Sequence, residues 1–225
     1  MKKEKIIICV VCLLLGVLVG YLAFNDNSLR KLPKPEVTGG ERGMLGIDKN
    51  INEENIDDYL GRSDSVYRDM RMLKDPGNYE AIGGDSYLSG FVKGFEVVPY
   101  PLLTEVKGLP EEVGSSYTGK TLFTQNEDGT YTANYEESLD YLKYYFPKDK
   151  NIFLMCGGGG YAGMTKNLLV ALGWDENKIY NVGGFWYYKG KNSVKVKREL
   201  NGQNVYDFYK VTYHDIDFNS LHEVK

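Results

Sequence analysis

The sequence predicts an α/β protein, with a mostly parallel central sheet flanked by helices, added β-hairpins and an apolar helix at the N-terminus. Three observations carry this. Short β-branched and aromatic runs alternate with helical periodicities between Ser65 and Val182. The run Ile152-Phe153-Leu154-Met155 is apolar without alternation, the pattern of a strand buried on both faces. It ends at Cys156 and passes directly into Gly157-Gly158-Gly159-Gly160, with a helical pattern from about Gly163 to Leu172. Strand, tight loop and helix in that order place a thiol at the carboxyl end of a strand, where open α/β sheets bind ligands.

The elements follow in chain order. Lys2, Lys3 and Lys5 precede an uninterrupted apolar stretch from Ile6 to Phe24. As a helix it is about 28 Å long, close to a bilayer core. No good small-residue cleavage site precedes Asn25, so 1–24 is expected to be a retained signal anchor. The lysines orient it with the C-terminal domain outside the cytoplasm, at the cell membrane. Residues 25–60 are expected to be a juxtamembrane linker, mostly loop, with a short helix at Glu53–Leu60. Strands are expected at Ser65–Met70 and Phe95–Val98, with a brief helix at Pro76–Ile82 between them. Asp128-Gly129 centres a hairpin over Leu122–Ala133, and Tyr135–Phe146 carries helical spacing. Asn151–Met155 and Ile179–Val182 are the later strands. The pattern then changes, and 191–225 is an extension carrying a second hairpin around Asn201-Gly202. The central domain is expected to occupy 61–190.

Charge and cysteine content narrow the function. The chain of 225 residues has a formal charge of −4; removing the net +2 of residues 1–24 leaves −6 on the remainder. An acidic domain is a poor partner for nucleic acid. Cys9 and Cys12 lie in the apolar stretch, so the remainder has a single cysteine and no internal disulfide. A lone thiol in an oxidising compartment is either a working residue or well buried. The loop N–H groups and the helix N-terminus favour a thiolate, so a lowered Cys156 pKa and a nucleophile are expected. The competing reading is a buried structural cysteine. Four consecutive glycines oppose it, since they give a core nothing to pack and cost conformational entropy.

Four segments resemble the rhodanese-like (sulfurtransferase) family in the correct order. Tyr67-Arg68-Asp69-Met70-Arg71 is similar to that family's strand ending in Asp-x-Arg. Tyr87 to Pro99 is similar to its segment leading to the next strand, with Phe91 where the family has His. Ile152–Cys156 is similar to the strand before its catalytic loop, and Asn181-Val182-Gly183-Gly184-Phe185-Trp186 to its late Gly-Gly and Trp region. The resemblance covers about Gly61 to Gly190. It implies that Cys156 takes sulfane sulfur from a small donor, holds it as a persulfide and passes it to a thiol acceptor. It implies no cofactor and no metal. The loop Gly157, Gly158, Gly159, Gly160, Tyr161 and Ala162 would bind the substrate sulfur, and Asp69 and Arg71 would support it. The family loop is Cys-x-x-Gly-x-Arg-Ser; Gly159 keeps its glycine, while Tyr161 replaces Arg and Ala162 replaces Ser. An anionic donor such as thiosulfate thereby loses a bidentate cation. A catalytically silent module that binds a protein partner at the cell surface is the alternative.

Other chemistries fit less well. A cysteine phosphatase needs Arg where Ala162 stands, and a P-loop needs Lys where Met164 stands, with Lys166 falling late on the helix. The two histidines, His214 and His222, are both in the tail and give no zinc spacing. A Cys–His dyad requires the tail to fold back over the loop. Asp69 and Arg71 also suit a structural ion pair bracing the sheet. The nineteen tyrosines suit core, rim or a contact surface.

Overall fold

The computed structural model describes residues 30–39, 42, 46–72, 90–107, 117–195, 197–200, 203–206, 212 and 214–225, with positions 12, 14 and 16. The expected membrane-spanning stretch falls almost entirely outside the described residues, as does the brief helix expected at 76–82. Among the described residues no helix is long and apolar enough to cross a membrane.

The strands are β1 (Ser65–Asp69), β2 (Gly90–Val92), β3 (Glu96–Val97), β4 (Phe123–Gln125), β5 (Tyr131–Ala133), β6 (Asn151–Cys156), β7 (Ile179–Gly184), β8 (Ser193–Lys195), β9 (Lys197–Leu200) and β10 (Gln203–Tyr206). The helices are α1 (Tyr100–Leu103), α2 (Ser138–Tyr145) and α3 (Gly160–Ala171). Four strands form the central sheet in the order β3-β1-β6-β7, with every pairing parallel. The protein is thus α/β around a parallel sheet, as expected. The hairpin β4–β5 and the hairpin β9–β10 form as expected, and β8 pairs antiparallel with β2.

Strand β6 is the axis of the molecule. Its side chains alternate between two apolar layers. Ile152, Leu154 and Cys156 pack with Leu102, Leu103, Leu142, Phe146, Leu168 and Leu169 on the face covered by the helices. Phe153 and Met155 pack on the opposite face with Tyr67, Phe95, Tyr180 and Val182. There the register Tyr67↔Phe153↔Tyr180 stacks three rings across adjacent strands, with centroids 5.2 and 4.9 Å apart. Such cross-strand aromatic contacts are the sheet's counterpart of helical side-chain pairs.

The second face needs a cover, and residues 47–60 supply it. Ile51 and Ile56 are fully buried against this ring stack, and Tyr59 joins them. The segment expected as a linker is therefore a layer of the core, although it carries only a 3-10 turn at Ile56–Tyr59 in place of the helix expected at Glu53–Leu60. Its loops lack any helical or strand period, so its packing role has no local signature.

Helix α2 starts three residues later than its periodicity suggests. The backbone of Tyr135 bridges that of Glu223 in the tail, and the Ser138 hydroxyl accepts from Tyr135 N–H and donates to Leu122 C=O. Phe146 ends the helix because it precedes Pro147 and is pushed out of the helical region, to φ −128°, ψ 72°. The tail is anchored twice more. Val97 N–H donates to Thr212 C=O and His214 N–H to Val97 C=O, which covers the open edge of β3. Ile216 is buried in the helical layer.

Burial raises the phenol pKa of several core tyrosines, pushing Tyr145 and Tyr180 up to about 12 and Tyr100 and Tyr188 higher still. A raised folded-state pKa favours the neutral phenol, so this stabilisation is complete below the ordinary value of 10.0 and is lost as pH rises through about 12. Circular dichroism and tyrosinate absorbance are expected to change together in a steep transition above pH 10. Gradual titration of all nineteen tyrosines on an intact fold would contradict this account.

Candidate functional site

Cys156 closes β6 on the helical face, and the chain turns at once into α3. The helix begins at Gly160, three residues before the expected start, with Gly159 as its N-cap. Gly160, Tyr161 and Ala162, expected as loop, therefore form the first helical turn, and the loop proper is Gly157–Gly159. Gly159 has φ +104°, a conformation other residues rarely adopt, and this lets the chain enter the helix within three residues. Its N–H lies 3.1 Å from Cys156 Sγ. The N–H groups of Tyr161 and Ala162 also face the sulfur. Three backbone donors thus converge on one thiol, an anion-binding nest at a helix N-terminus.

The thiol is nevertheless only 3 % exposed, and its pKa is raised, not lowered as expected. Burial is the largest cause, and the nearby negative charge of Asp69 adds to it; the N–H groups of Ala162, Gly159 and Tyr161 pull the other way. The expectation counted the donors and not the desolvation, which no local pattern reveals.

The carbonyls of the loop are held from outside. Gly157 C=O accepts from Trp186 N–H, and Gly159 C=O accepts from the Asn181 side-chain amide at 3.0 Å. Gly158 C=O accepts from both Nε and Nη2 of Arg42, each at 3.2 Å. Arg42 Nη1 pairs with Glu53 at 2.8 Å, and the guanidinium lies 3.6 Å from the centre of the Tyr187 ring. The second oxygen of Glu53 accepts from Gly184 N–H at 3.2 Å. Strand β7 bulges here: between Leu154↔Asn181 and Cys156↔Gly184 it carries one residue more than β6. The bulge lets Asn181 bond Gly183 N–H as well as the loop, and it brings Trp186 against Gly157 and Gly158. Arg42, Glu53 and Asn181 are not among the expected site residues: Arg42 and Glu53 come from a segment expected to be linker, and Asn181, although in an expected strand, reaches the loop only through the pairing of β7 with β6.

Asp69 and Arg71 lie at the carboxyl end of β1, beside β6, where Met70 N–H bonds Met155 C=O. Both are fully buried and form a closed ion pair. Arg71 also donates to Gly90 C=O at 2.9 Å and lies between the rings of Phe91 and Phe185, at 4.7 and 4.9 Å. The guanidinium is thus engaged by Asp69, a carbonyl and two rings. Tyr161 is buried and stacks on Tyr100, with centroids 5.5 Å apart. The tail histidines bond carboxylates, His214 to Glu96 and His222 to Glu137. Lys166 lies 3.8 Å from Glu176. Among the described residues no cluster of three or more His, Cys, Asp or Glu could hold a metal ion.

Two substitutions test this packing. A Cβ on Gly157 would lie 2.7 Å from the Trp186 indole, so Gly157→Ala is expected to cost about 1–3 kcal/mol in urea unfolding. The cost should largely vanish on a Trp186→Ala background, and strictly additive losses would refute the contact as its cause. Arg71→Met leaves Asp69 buried without its cation and is expected to cost about 3–5 kcal/mol, part of which Asp69→Asn should recover in the double variant.

Comparison with family models, with curated proteins and with solved structures finds no match to this chain.

Proposed function

We propose that the chain is a membrane-anchored, rhodanese-like sulfur carrier that holds sulfane sulfur as a persulfide on Cys156. The observation that carries this reading is the convergence of the Gly159, Tyr161 and Ala162 N–H groups on Sγ. Backbone donors aimed at one sulfur suit an anionic sulfur species better than a packed thiol. The parallel sheet that delivers Cys156 to a helix N-terminus supports it as well, and the apolar stretch 6–24 supports an anchor with the domain outside the cytoplasm.

The chemistry follows from the thiol's environment. Cys156 attacks the outer sulfur of a persulfide or polysulfide; the donor's S–S bond breaks and a new S–S bond forms on Sγ. The Cys156 proton leaves with the donor's departing thiolate. An acceptor thiolate then attacks the outer sulfur, and Cys156 leaves as the thiolate and takes up the acceptor's proton. One sulfur atom moves in each step, and no external oxidant or reductant is consumed. Tyr161 and Ala162 offer no guanidinium for a sulfonate, so a polysulfide is the expected donor and thiosulfate a poor one.

A second reading, a silent module that binds a protein partner, is favoured by the burial of Cys156 and its raised pKa. Intact mass of the full-length chain, in detergent, after exposure to polysulfide or to thiosulfate separates the two. The carrier gains one sulfur from polysulfide, reversibly with dithiothreitol, and Cys156→Ser abolishes the gain. A folded chain that gains none from either donor is the silent module.

A further inference from the structure

Arg42 bonds the carbonyl of Gly158, and the N–H of Gly159 bonds Cys156 Sγ. These two groups belong to one peptide unit. In a planar trans peptide the C=O and the following N–H point in opposite directions within one plane. The unit therefore spans the gap between a guanidinium on one side and a sulfur on the other. We propose that Arg42 is a positioning residue for Cys156, acting through the Gly158–Gly159 peptide to supply from the membrane-proximal segment the positive charge that the cysteine loop itself lacks.

Two physical effects make this contact consequential. First, a charge-assisted bond to a carbonyl polarises the peptide and strengthens its N–H as a donor. Second, the bond fixes which way the peptide faces. Rotating the unit would break both Arg42 bonds and turn a carbonyl oxygen onto the sulfur, replacing attraction for an anion by repulsion. Glycines on both sides leave little else to resist that rotation. Arg42 is itself held in place: Glu53 takes Nη1 and grips Gly184 N–H with its other oxygen, while Tyr187 lies against the guanidinium. Among the described residues, the thiol faces the carboxylate of Asp69 and the N–H groups of Gly159, Tyr161 and Ala162; Asp69 is held by Arg71, the Tyr161 ring stacks on Tyr100 of α1, and Glu53 is paired to Arg42. Arg71 is paired with Asp69 as Arg42 is with Glu53, but Arg42 bonds a carbonyl of the cysteine loop.

The inference deepens the sulfur-carrier reading and rests on it for its chemical purpose, but its test does not require sulfur transfer. The readout is the pH dependence of iodoacetamide alkylation at the Cys156 peptide, followed by mass spectrometry on the full-length chain in detergent. Cys9 and Cys12 then do not interfere. Arg42→Ala is expected to shift the profile to higher pH by about one unit, a roughly tenfold loss of thiolate at a fixed pH below it. Arg42→Lys, which keeps the charge, should stay near wild type. Arg42→Gln, which keeps a donor without the charge, should fall near the alanine variant. An alanine variant that titrates with wild type overturns the proposal. So does one that titrates lower, since Arg42 would then only close the loop over the thiol. If circular dichroism shows the alanine variant unfolded, the glutamine and lysine variants decide, and coincident profiles for those two overturn the proposal. The carrier reading fails separately: a chain that accepts no sulfur can still show this ordering, and a chain that accepts sulfur can lack it.

Discussion

Strand β6 is buried on both faces, and this one constraint organises the rest of the molecule. A slip of one residue would move Ile152 and Leu154 into the ring stack and Phe153 and Met155 under the helices, with neither layer shaped to receive them. The register is therefore fixed from both sides. Because Cys156 continues the same alternation, its phase is fixed too, and the sulfur falls on the helical face at the point where α3 starts. The site inherits its placement from the core.

Cys156 is subject to opposed electrostatic influences. Removing a thiolate from water costs far more than one hydrogen bond returns, and Asp69 adds repulsion. Three N–H groups at a helix N-terminus oppose that penalty without cancelling it, so the thiol pKa stays raised. This differs from an exposed, activated cysteine held as a thiolate by a neighbouring cation. It suits the proposed chemistry, in which an incoming sulfur species brings its own base. It also makes the arrangement of the loop peptides matter more, since a buried group responds strongly to each dipole around it.

The loop is braced by elements remote in sequence. Arg42 and Glu53 come from the segment that precedes the sheet, Asn181 and Trp186 from β7 and the turn that follows it. Backbone rich in glycine has little stiffness of its own. Here its stiffness is supplied by hydrogen bonds to the carbonyls of Gly157, Gly158 and Gly159, each held by a different partner. The stretch between the expected membrane anchor and the sheet is thus part of both the core and the site.

By itself the sequence determined what depends on neighbours along the chain. The unbroken apolar run at 152–155 implied a doubly buried strand, Asp128-Gly129 a hairpin, and the Cys-Gly run followed by helical spacing a thiol at a strand end. Each of these rests on local backbone preference or on side-chain period, which a linear pattern records. Tertiary structure alone decided the rest. Whether the thiol was wet or dry depended on Tyr161, Ile152 and the helices packed about it, so the direction of its pKa could not be read from the loop. The roles of Arg42, Glu53 and Asn181 arise from contacts across as many as 131 residues, which leave no periodic trace. Ile51 and Ile56 lie in a segment whose only regular element is one 3-10 turn, and only the apolar second face of the sheet beneath them gives their burial a reason.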